Sequence, residues 1–391
     1  MKEETILVTA GRHPEENLGV VNPPVYHAST ILQPTLAARD ALREAGLRGE
    51  RVISYGRRGS PTMFALEDVV TELEGGHRAR IFPSGLAAIA TAIAAYVGSG
   101  DHILVADTVY GPCRNFCDSV MARFGVETTY FDPTIGDEIR DLVRANTKIL
   151  YLESPGTATF EIQDIPRLAA CAKEKGLIVL MDNTWATPLY FKPFAHGVDV
   201  SIHAATKYLV GHSDAMLGIV SANKETYPAL EDCTNRFGQT AGPDDVYLAQ
   251  RGVRTLAVRL KQHWESGLAV AEWLAARPEI ECVMHPALAG DPGHAIWKRD
   301  FEGASGLFGA TLKPCSPEAL TAFVDSLELF GLGSSWGGFE SLLVVSDPNS
   351  MRSARPWTLP GPTVRLHVGL EAVDDLIADL ETGFAKMKAA A

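Results

Sequence analysis

Four short segments stand directly after apolar runs of the sequence, and each carries a residue that can take part in chemistry. Asp182 follows the run LIVLM, and Lys207 closes the segment HAATK that follows VDVSI. Tyr110 comes shortly after HILVA, and Gly85 opens an alanine-rich stretch just after IF. Because ligands bind outside the carboxyl ends of strands in an open parallel sheet, we expect these residues to meet at one edge. That edge would combine a carboxylate, an amine, a phenol and the amino end of a helix.

This combination of groups matches the needs of pyridoxal 5′-phosphate (PLP). PLP forms a Schiff base with a lysine, and a carboxylate pairs with its pyridine nitrogen. Lys207 and Asp182 are 25 residues apart and are predicted to lie at the ends of successive strands. The N–H groups of Gly85 and Leu86, at the start of a helix, would suit the phosphate. Thr206, beside the lysine, could donate its hydroxyl to the same phosphate.

Each of these residues has a simpler explanation when it is taken alone. An aspartate after a strand is most often the N-cap of a helix, and a lysine is usually a solvated surface charge. A Ser-Gly pair before an alanine-rich helix is in most chains a cap or a site of close packing, and Tyr110 could be a core aromatic. The prediction of a cofactor site therefore depends on all four features occurring at the same sheet edge.

The elements that would position these residues alternate between strands and helices from about residue 61. Continuous apolar strands separated by helices indicate a parallel sheet that is covered on both faces. We therefore predict a mostly parallel, doubly wound α/β domain over residues 61–255. The later pattern, with an amphipathic helix near the C-terminus, predicts a smaller α+β domain over residues 256–391. Residues 1–60 lack sustained periodicity and are predicted to form an N-terminal arm that contributes to a neighbouring subunit.

Length, composition and charge narrow the class of protein. The chain has 391 residues, of which 46% are hydrophobic and 21% are charged, as in ordinary globular proteins. It has 35 Lys and Arg against 48 Asp and Glu, and this net charge of −13 argues against a nucleic-acid partner. The six cysteines are scattered, and no apolar run is long enough for a signal peptide or a membrane span. We therefore expect a cytoplasmic protein with no membrane partner.

Several segments resemble the Cys/Met-metabolism family of PLP-dependent enzymes, which includes the transsulfuration enzymes. The segment from Asp182 to Gly218, DNTWATPLYFKPFAHGVDVSIHAATKYLVGHSDAMLG, is similar to the PLP-lysine region of that family. The resemblance continues in the family's order through SYGRRGSPT, FPSGLAA, HPALAGDPGHAIWKRDFEGASGLFG, SSWGGFESL and RLHVGLE. It implies PLP as the cofactor and the α/β fold of PLP-dependent enzymes of fold type I, which is like that of aspartate aminotransferase.

The resemblance also implies a role for each residue of the predicted cofactor site. Lys207 would hold PLP as a Schiff base, and Asp182 would pair with the pyridine nitrogen. Tyr110 would stack on the ring and act as a base toward the incoming amine. The remaining cofactor residues would contact the phosphate, namely Gly85, Leu86 and Thr206 of the same subunit and Tyr55 and Arg57 of the neighbouring one.

On the substrate side, the resemblance implies that Arg365 clamps the α-carboxylate of an amino acid. Arginine suits this role because it meets a carboxylate with two parallel N–H bonds, which lysine cannot reproduce. Ser335 and Trp336 would border the same site, and Tyr55 of the neighbouring subunit would complete it. Shared sites imply a dimer as the minimum active unit and a homotetramer built as a dimer of dimers.

Trp336 of SSWGGFESL resembles the β-directed family members, whereas the γ-directed members typically carry a small or aliphatic residue there. The implied reaction is β-elimination of L-cystathionine to homocysteine, pyruvate and ammonia in methionine biosynthesis, with other cysteine S-conjugates as further substrates. Ser334 departs from the tyrosine that often precedes the Ser-Trp pair, which leaves the preferred thioether open. The alternatives are γ-directed chemistry (cystathionine γ-lyase, cystathionine γ-synthase or methionine γ-lyase) and a general cysteine-S-conjugate β-lyase or cysteine desulfhydrase.

Enzyme classes outside this family find little support in the sequence. A nucleotide-binding dehydrogenase would need the motif G-x-G-x-x-G. The chain has its first two glycines at Gly331 and Gly333, but Trp336 stands where the third would be. No P-loop motif occurs either. A metal hydrolase would need clustered ligands, but the available histidines and cysteines are flanked by apolar residues, as core residues usually are. The candidate ligands are His203, His212, Cys113 and Cys117.

Overall fold

The computed structural model describes all 391 residues of the chain and contains two β-sheets. The larger sheet is built from the first seven strands, and the smaller sheet from five strands of the C-terminal third. The larger sheet contains β1 (Arg78–Phe82), β2 (His102–Ala106), β3 (Glu127–Phe131), β4 (Thr147–Glu153), β5 (Ile178–Asp182), β6 (Val200–His203) and β7 (Gly218–Ala222). The smaller sheet contains β8 (Ile280–Met284), β9 (Leu307–Leu312), β10 (Gly331–Leu332), β11 (Leu342–Ser346) and β12 (Thr363–His367).

Fourteen α-helices surround the two sheets, and local sequence explains several of their ends. The hydroxyls of Ser60 and Ser84 cap two helices by accepting hydrogen bonds from backbone N–H groups of the first turn. None of the helices has both the length and the hydropathy of a membrane-spanning segment. The helices are α1 (Glu3–Thr9), α2 (Leu36–Leu47), α3 (Pro61–Glu74), α4 (Gly85–Ala94), α5 (Gly111–Asn115), α6 (Ile139–Leu142), α7 (Ile165–Glu174), α8 (Thr187–Tyr190), α9 (Tyr227–Phe237), α10 (Pro243–Arg254), α11 (Leu256–Ala275), α12 (His294–Asp300), α13 (Pro317–Asp325) and α14 (Val373–Ala389).

The larger sheet has the strand order β1-β7-β6-β5-β4-β2-β3. All neighbouring strands are parallel except β7, which runs antiparallel to β1 and β6. Every residue of β2 is buried, as the continuous apolar run in its sequence predicts. This architecture confirms the mostly parallel α/β fold predicted from the sequence. Because β1, β2, β4, β5 and β6 point the same way, their carboxyl ends lie along one edge of the sheet.

The smaller sheet has the strand order β10-β11-β12-β9-β8. Its strands are antiparallel except for the short pair β10 and β11. Helices α13 and α14 pack against each other, and the rings of Phe323 and Phe384 stack between them with centroids 4.7 Å apart. The central strand β12 and the loop before β11 reach the edge of the larger sheet, where they complete the site described below.

The first sixty residues are divided between a packed helix and an exposed one. Leu7 of α1 is buried in a cluster with residues of α3 and α10. The Arg254 guanidinium fixes the end of this helix by donating to the carbonyl groups of Leu7 (2.7 Å) and Ala10 (2.9 Å). In contrast, α2 has no buried residue. The division of the chain into an arm and two domains stays a prediction.

Candidate active site

The carboxyl ends of the parallel strands surround a cavity of about 340 Å³. Turns after β2, β4, β5 and β6 form its walls, helix α4 presents its first residues to it, and β12 closes it from the smaller sheet. Most of the site residues predicted from the sequence line this one cavity. They are Gly85, Leu86, Tyr110, Asp182, Thr206, Lys207, Trp336 and Arg365.

Asp182 is the last residue of β5 and is buried at the cavity wall. Its Oδ1 accepts hydrogen bonds from the backbone N–H (2.9 Å) and the hydroxyl (2.5 Å) of Thr184. Its Oδ2 accepts no hydrogen bond within the chain. Burial raises the pKa of Asp182, and the Thr184 bonds oppose that rise. A cationic group that met Oδ2 would stabilise the ionised carboxylate, as a protonated pyridine nitrogen would.

Lys207 lies in the turn after β6 and lines the cavity. Its Nζ donates to the Ser335 hydroxyl at 2.5 Å and lies 5.4 Å from the centre of the Trp336 ring. Burial and the nearby Arg365 guanidinium lower the pKa of Lys207 to about 8, although Asp182 opposes the shift. With this pKa about half of such amines are neutral at pH 8, and the neutral amine is the form that Schiff-base chemistry requires.

The amino end of α4 offers a site for an anion. The backbone N–H groups of Gly85 and Leu86 donate no hydrogen bond within the chain, whereas that of Ala87 is capped by Ser84 (3.1 Å). A Cβ on Gly85 would lie 2.6 Å from the Cβ of Ala204, so only glycine allows the helix to start this close to the turn after β6. Unpaired N–H groups at a helix start fit a phosphate.

Thr206 borders the same cavity, but its hydroxyl is engaged within the chain. Its Oγ1 donates to the carbonyl of Leu217 (3.1 Å) and accepts from the Leu217 N–H (2.9 Å). The hydroxyl would therefore have to exchange its bond to the carbonyl for one to a phosphate. The structure brings Thr206 to the predicted place with this competing bond.

Ser335 connects the two cationic residues of the cavity. Its hydroxyl accepts from Lys207, and its carbonyl accepts from Nη2 of Arg365 at 3.2 Å. Ser335 has φ +98°, a left-handed backbone conformation that non-glycine residues rarely adopt and that is often found at functional sites. Burial lowers the pKa of Arg365, so this cation is poorly compensated within the chain. Its remaining N–H groups are free to meet an anion.

Tyr110 stands at the start of α5, with its side chain 41% exposed at the mouth of the cavity. Its backbone N–H donates to Oε2 of Glu153 at 2.8 Å. Burial raises the pKa of Tyr110, and the carboxylates of Asp182 and Glu153 add to the rise, whereas Arg365 opposes it. The phenol therefore keeps its proton at neutral pH in the chain alone.

Tyr55 and Arg57 do not line this cavity in their own chain. They border a separate shallow cavity between the arm and the start of α10. Nη1 of Arg57 donates to the carbonyl of Asn235 at 2.7 Å, and Tyr55 is 45% exposed. Their predicted place in a neighbour's site involves a second copy of the chain and stays a prediction.

Two cavity residues received no role from the sequence, although a usable signal was present. Glu153 ends β4 and Thr184 follows β5, so the rule that ligand sites follow strand ends applies to both. Burial, together with the charge of Asp182, raises the pKa of Glu153 to about 8. The role of Thr184 as the partner of Asp182 depends on a side-chain contact that no pattern in the sequence predicts.

These groups fit PLP: an open carboxylate oxygen, an amine with a lowered pKa, and unpaired N–H groups at a helix start. The family model for "Cys/Met metabolism PLP-dependent enzyme" matches residues 4–385. The chain belongs to this family. PLP is therefore its cofactor, and its substrates are amino acids. The family predicted from the sequence is confirmed.

Relatives within the family cover the whole chain. The cystathionine β-lyase of Escherichia coli (strain K12) is 45% identical over 99% of this chain and 99% of its own length. The L-alanine/L-glutamate racemase of Wolbachia pipientis wMel is 42% identical over 99% of this chain and 98% of its own. The crystal structure of cystathionine γ-lyase from Lactobacillus plantarum with L-serine superimposes with a TM-score of 0.89 and 32% identity, covering 99% and 100% of the two chains.

Proposed function

We propose that this family member is a carbon–sulfur lyase that cleaves L-cystathionine by β-elimination to homocysteine, pyruvate and ammonia. The observation that carries the proposal is the position of the Lys207 amine. It contacts Ser335 and the Trp336 ring in a cavity that also holds Asp182 and Arg365. In this proposal a base of lowered pKa stands between the residues that would bind the cofactor and the guanidinium that would bind the substrate carboxylate. Other cysteine S-conjugates share the reacting part of cystathionine and are further substrates.

Arg365 binds and orients the substrate. Its free N–H groups pair with the α-carboxylate, while its bond to the Ser335 carbonyl holds the guanidinium in place. Carboxylate binding at this point directs the Cα–H bond and the sulfur toward Lys207. Trp336, which packs against Tyr208 with ring centroids 5.4 Å apart, provides a rigid apolar wall beside that sulfur.

Lys207 moves the protons of the reaction. PLP, when bound, supplies the electron sink that accepts the pair left on Cα. The neutral Lys207 amine removes the Cα proton, and the resulting ammonium donates a proton to the sulfur as the Cβ–S bond breaks. Ser335 orients the amine through its 2.5 Å hydrogen bond. Addition of water to the remaining three-carbon fragment gives pyruvate and ammonia, which balances the reaction.

The other predicted residues hold the cofactor in this proposal. Asp182 would meet the pyridine nitrogen through Oδ2, and Tyr110 would stack on the ring and accept a proton from the incoming amine. The start of α4 would hold the phosphate. The residues around it are Gly85, Leu86 and Thr206, with Tyr55 and Arg57 from a neighbouring subunit.

Because Tyr55 and Arg57 would come from a neighbouring subunit, the proposal includes the oligomeric state of the enzyme. A site that needs Tyr55 and Arg57 of a neighbour requires a dimer, and we infer a homotetramer built from two such dimers. Residues 1–60 would act as the arm that joins them, with residues 61–255 and 256–391 as the two domains. The enzyme would act in the cytoplasm on a diffusible amino acid.

The choice of β- over γ-elimination depends on Trp336. Its ring occupies the space beside Lys207 where the γ-directed members carry a small or aliphatic residue, and it restricts the path of a longer carbon chain. Ser334, exposed in place of the usual tyrosine, leaves room around the distal end of the thioether. A general cysteine-S-conjugate β-lyase therefore remains the first alternative, and γ-directed chemistry the second.

Racemisation is a second candidate activity, because a relative of nearly the same identity is named a racemase. It requires proton transfer to Cα on both faces, and Lys207 and Tyr110 both border the cavity. The raised pKa of Tyr110 does not separate the two activities, because the phenol would have to lose its proton both to accept one from the incoming amine and to act at Cα.

One experiment separates these activities. The purified, PLP-loaded protein is incubated with L-cystathionine and, separately, with L-alanine, and the products are identified by chiral chromatography and mass spectrometry. We expect equal amounts of pyruvate and homocysteine from the first and little D-alanine from the second. The Lys207→Ala protein is the control and should form neither. Dominant D-alanine formation would favour racemisation, and 2-oxobutyrate would favour γ-elimination.

A further inference from the structure

Glu153 is a carboxyl group at the active site that the reaction described above does not use. It is the last residue of β4, is 9% exposed and lines the cavity beside β5. Oε2 accepts the backbone N–H of Tyr110 at 2.8 Å, and Oε1 accepts the Thr157 hydroxyl at 2.5 Å. Both oxygens are thus committed to chain groups, and one of those groups belongs to the residue that would stack on the cofactor.

The segment after β4 holds the turn before Tyr110 at several points. The Thr157 N–H donates to the carbonyl of Thr108 at 2.7 Å. A Cβ on Gly156 would overlap the side chain of Thr108, so this segment packs directly on the turn. Because β2 and β4 are neighbours in the sheet, the two turns lie side by side. Of the residues in these two turns, Glu153 is the one whose side chain forms a hydrogen bond with Tyr110.

Placing a carboxyl here is costly for the fold. Glu153 is paired in register with Asp182 on the neighbouring strand, so two buried acids lie close together and no cation forms an ion pair with Glu153. Burial of such groups is unfavourable unless hydrogen bonds compensate for the lost hydration. Buried polar groups that lower stability are found mainly at functional sites, where they hold other groups in position. An apolar residue would be less costly if Glu153 were only part of the core.

We propose that Glu153 is a positioning residue for Tyr110, whose main chain it fixes so that the ring faces the cofactor. Without the acceptor at Oε2, the N–H of Tyr110 loses its partner, and the residue that begins α5 can shift. The N–H groups of Cys113 and Arg114 in the first turn of α5 hold the Tyr110 carbonyl, so Glu153 is the partner that holds its N–H. The effect depends on an acceptor oxygen at this point and not on the negative charge.

Two substitutions of nearly equal size at residue 153 should have different effects. Glu153→Gln keeps a carbonyl oxygen for Tyr110, and its amide can donate to Thr157. Glu153→Leu keeps a side chain of similar volume and removes both acceptors. The inference rests on the proposed function in one respect only, because the kinetic measurement uses cystathionine as the substrate. Visible circular dichroism of the PLP-loaded protein reports the ring environment and PLP affinity reports the stacking, and neither requires that cystathionine is the substrate.

The test is a double-mutant cycle between residues 153 and 110. In the Tyr110 background, we expect Glu153→Leu to lower kcat/KM by about 10²-fold, the size expected for a small misplacement of a reacting group. The visible circular dichroism should change in parallel, and Glu153→Gln should stay within about 3-fold of the parent. In the Tyr110→Ala background, Glu153→Leu should cost less than about 3-fold, because no ring remains to be positioned.

Three results would overturn the inference: equal losses in both backgrounds, a loss for Glu153→Gln as large as for Glu153→Leu, or no loss for Glu153→Leu. If Glu153→Leu does not fold, Glu153→Asp takes its place in the same cycle, because its carboxyl is one methylene too short for the Tyr110 N–H. If the parent protein does not cleave cystathionine, the proposed function fails, while dichroism and PLP affinity still decide the role of Glu153.

Discussion

Replacement of Arg365 by leucine tests how the substrate is held. Arg365 lies in the middle of β12, and the only hydrogen bond of its guanidinium within the chain is from Nη2 to the Ser335 carbonyl. Nε and Nη1 therefore have N–H groups to offer to the cavity. A carboxylate that meets the guanidinium gains two charge-assisted hydrogen bonds, each worth roughly 1.5–3 kcal/mol.

Loss of both bonds removes about 3–6 kcal/mol from the binding of the transition state, which corresponds to a fall in kcat/KM of roughly 10²–10⁴-fold. Arg365→Lys should recover only part of this loss, because a point charge cannot reproduce two parallel bonds. The assay is the initial rate of pyruvate formation over a range of cystathionine concentrations. Arg355→Leu is the matched control, because that arginine is exposed, pairs with Asp132 and lies outside the cavity.

The same variant has a second, independent consequence for Lys207. The Arg365 guanidinium helps to lower the pKa of the Lys207 amine to about 8, so its removal should raise that pKa. The titration can be followed in PLP-free protein through the pH dependence of amine modification at Lys207. If Arg365→Leu retained full kcat/KM, or if the Lys207 pKa fell, the described geometry of the carboxylate site would be refuted.

Three further outcomes follow from the structure. Lys207→Ala should lack the visible absorbance of lysine-bound PLP and lose turnover; if both persisted, another residue would hold the cofactor. Asp182→Asn should keep its Thr184 bonds and bind PLP but lose more than about 10²-fold in kcat, and an active variant would mean that another group faces the pyridine nitrogen. Burial lowers the pKa of His285 to about 4, so the unfolded chain binds more protons than the folded one below about pH 6.5. Stability in urea should therefore fall from pH 6.5 toward pH 4, and His285→Asn should flatten that fall; an unchanged slope would contradict it.

Much of the larger sheet could be predicted because its strands are buried on both faces. The apolar run HILVA that precedes Tyr110 forms β2 over residues 102–106. The positions of Asp182 and Lys207 follow from the same pattern, since a residue just past a buried strand has to lie at the sheet edge. The C-terminal helix from Val373 was predicted from its apolar spacing and is present as α14.

The parts that were missed depend on contacts between distant segments. Strand β7 contains glycine, serine and alanine, and it is a strand because it pairs with β1 and β6 on either side. Strand β3 is a partly exposed edge with a polar sequence, ETTYF, so it lacks a continuous apolar run. The strained backbone of Ser335 and the bond from Tyr110 to Glu153 arise only when the two sheets and the strand-end turns come together.

β-Elimination breaks the bond between sulfur and Cβ of the three-carbon half of cystathionine. L-Cystathionine that carries ¹³C in that three-carbon half only shows which bond breaks. The wild-type, PLP-loaded protein is given this substrate, and the labelled products are identified by NMR spectroscopy. β-Elimination predicts that the label appears in pyruvate, with unlabelled homocysteine in equal amount. Label in cysteine, together with unlabelled 2-oxobutyrate, would contradict the account.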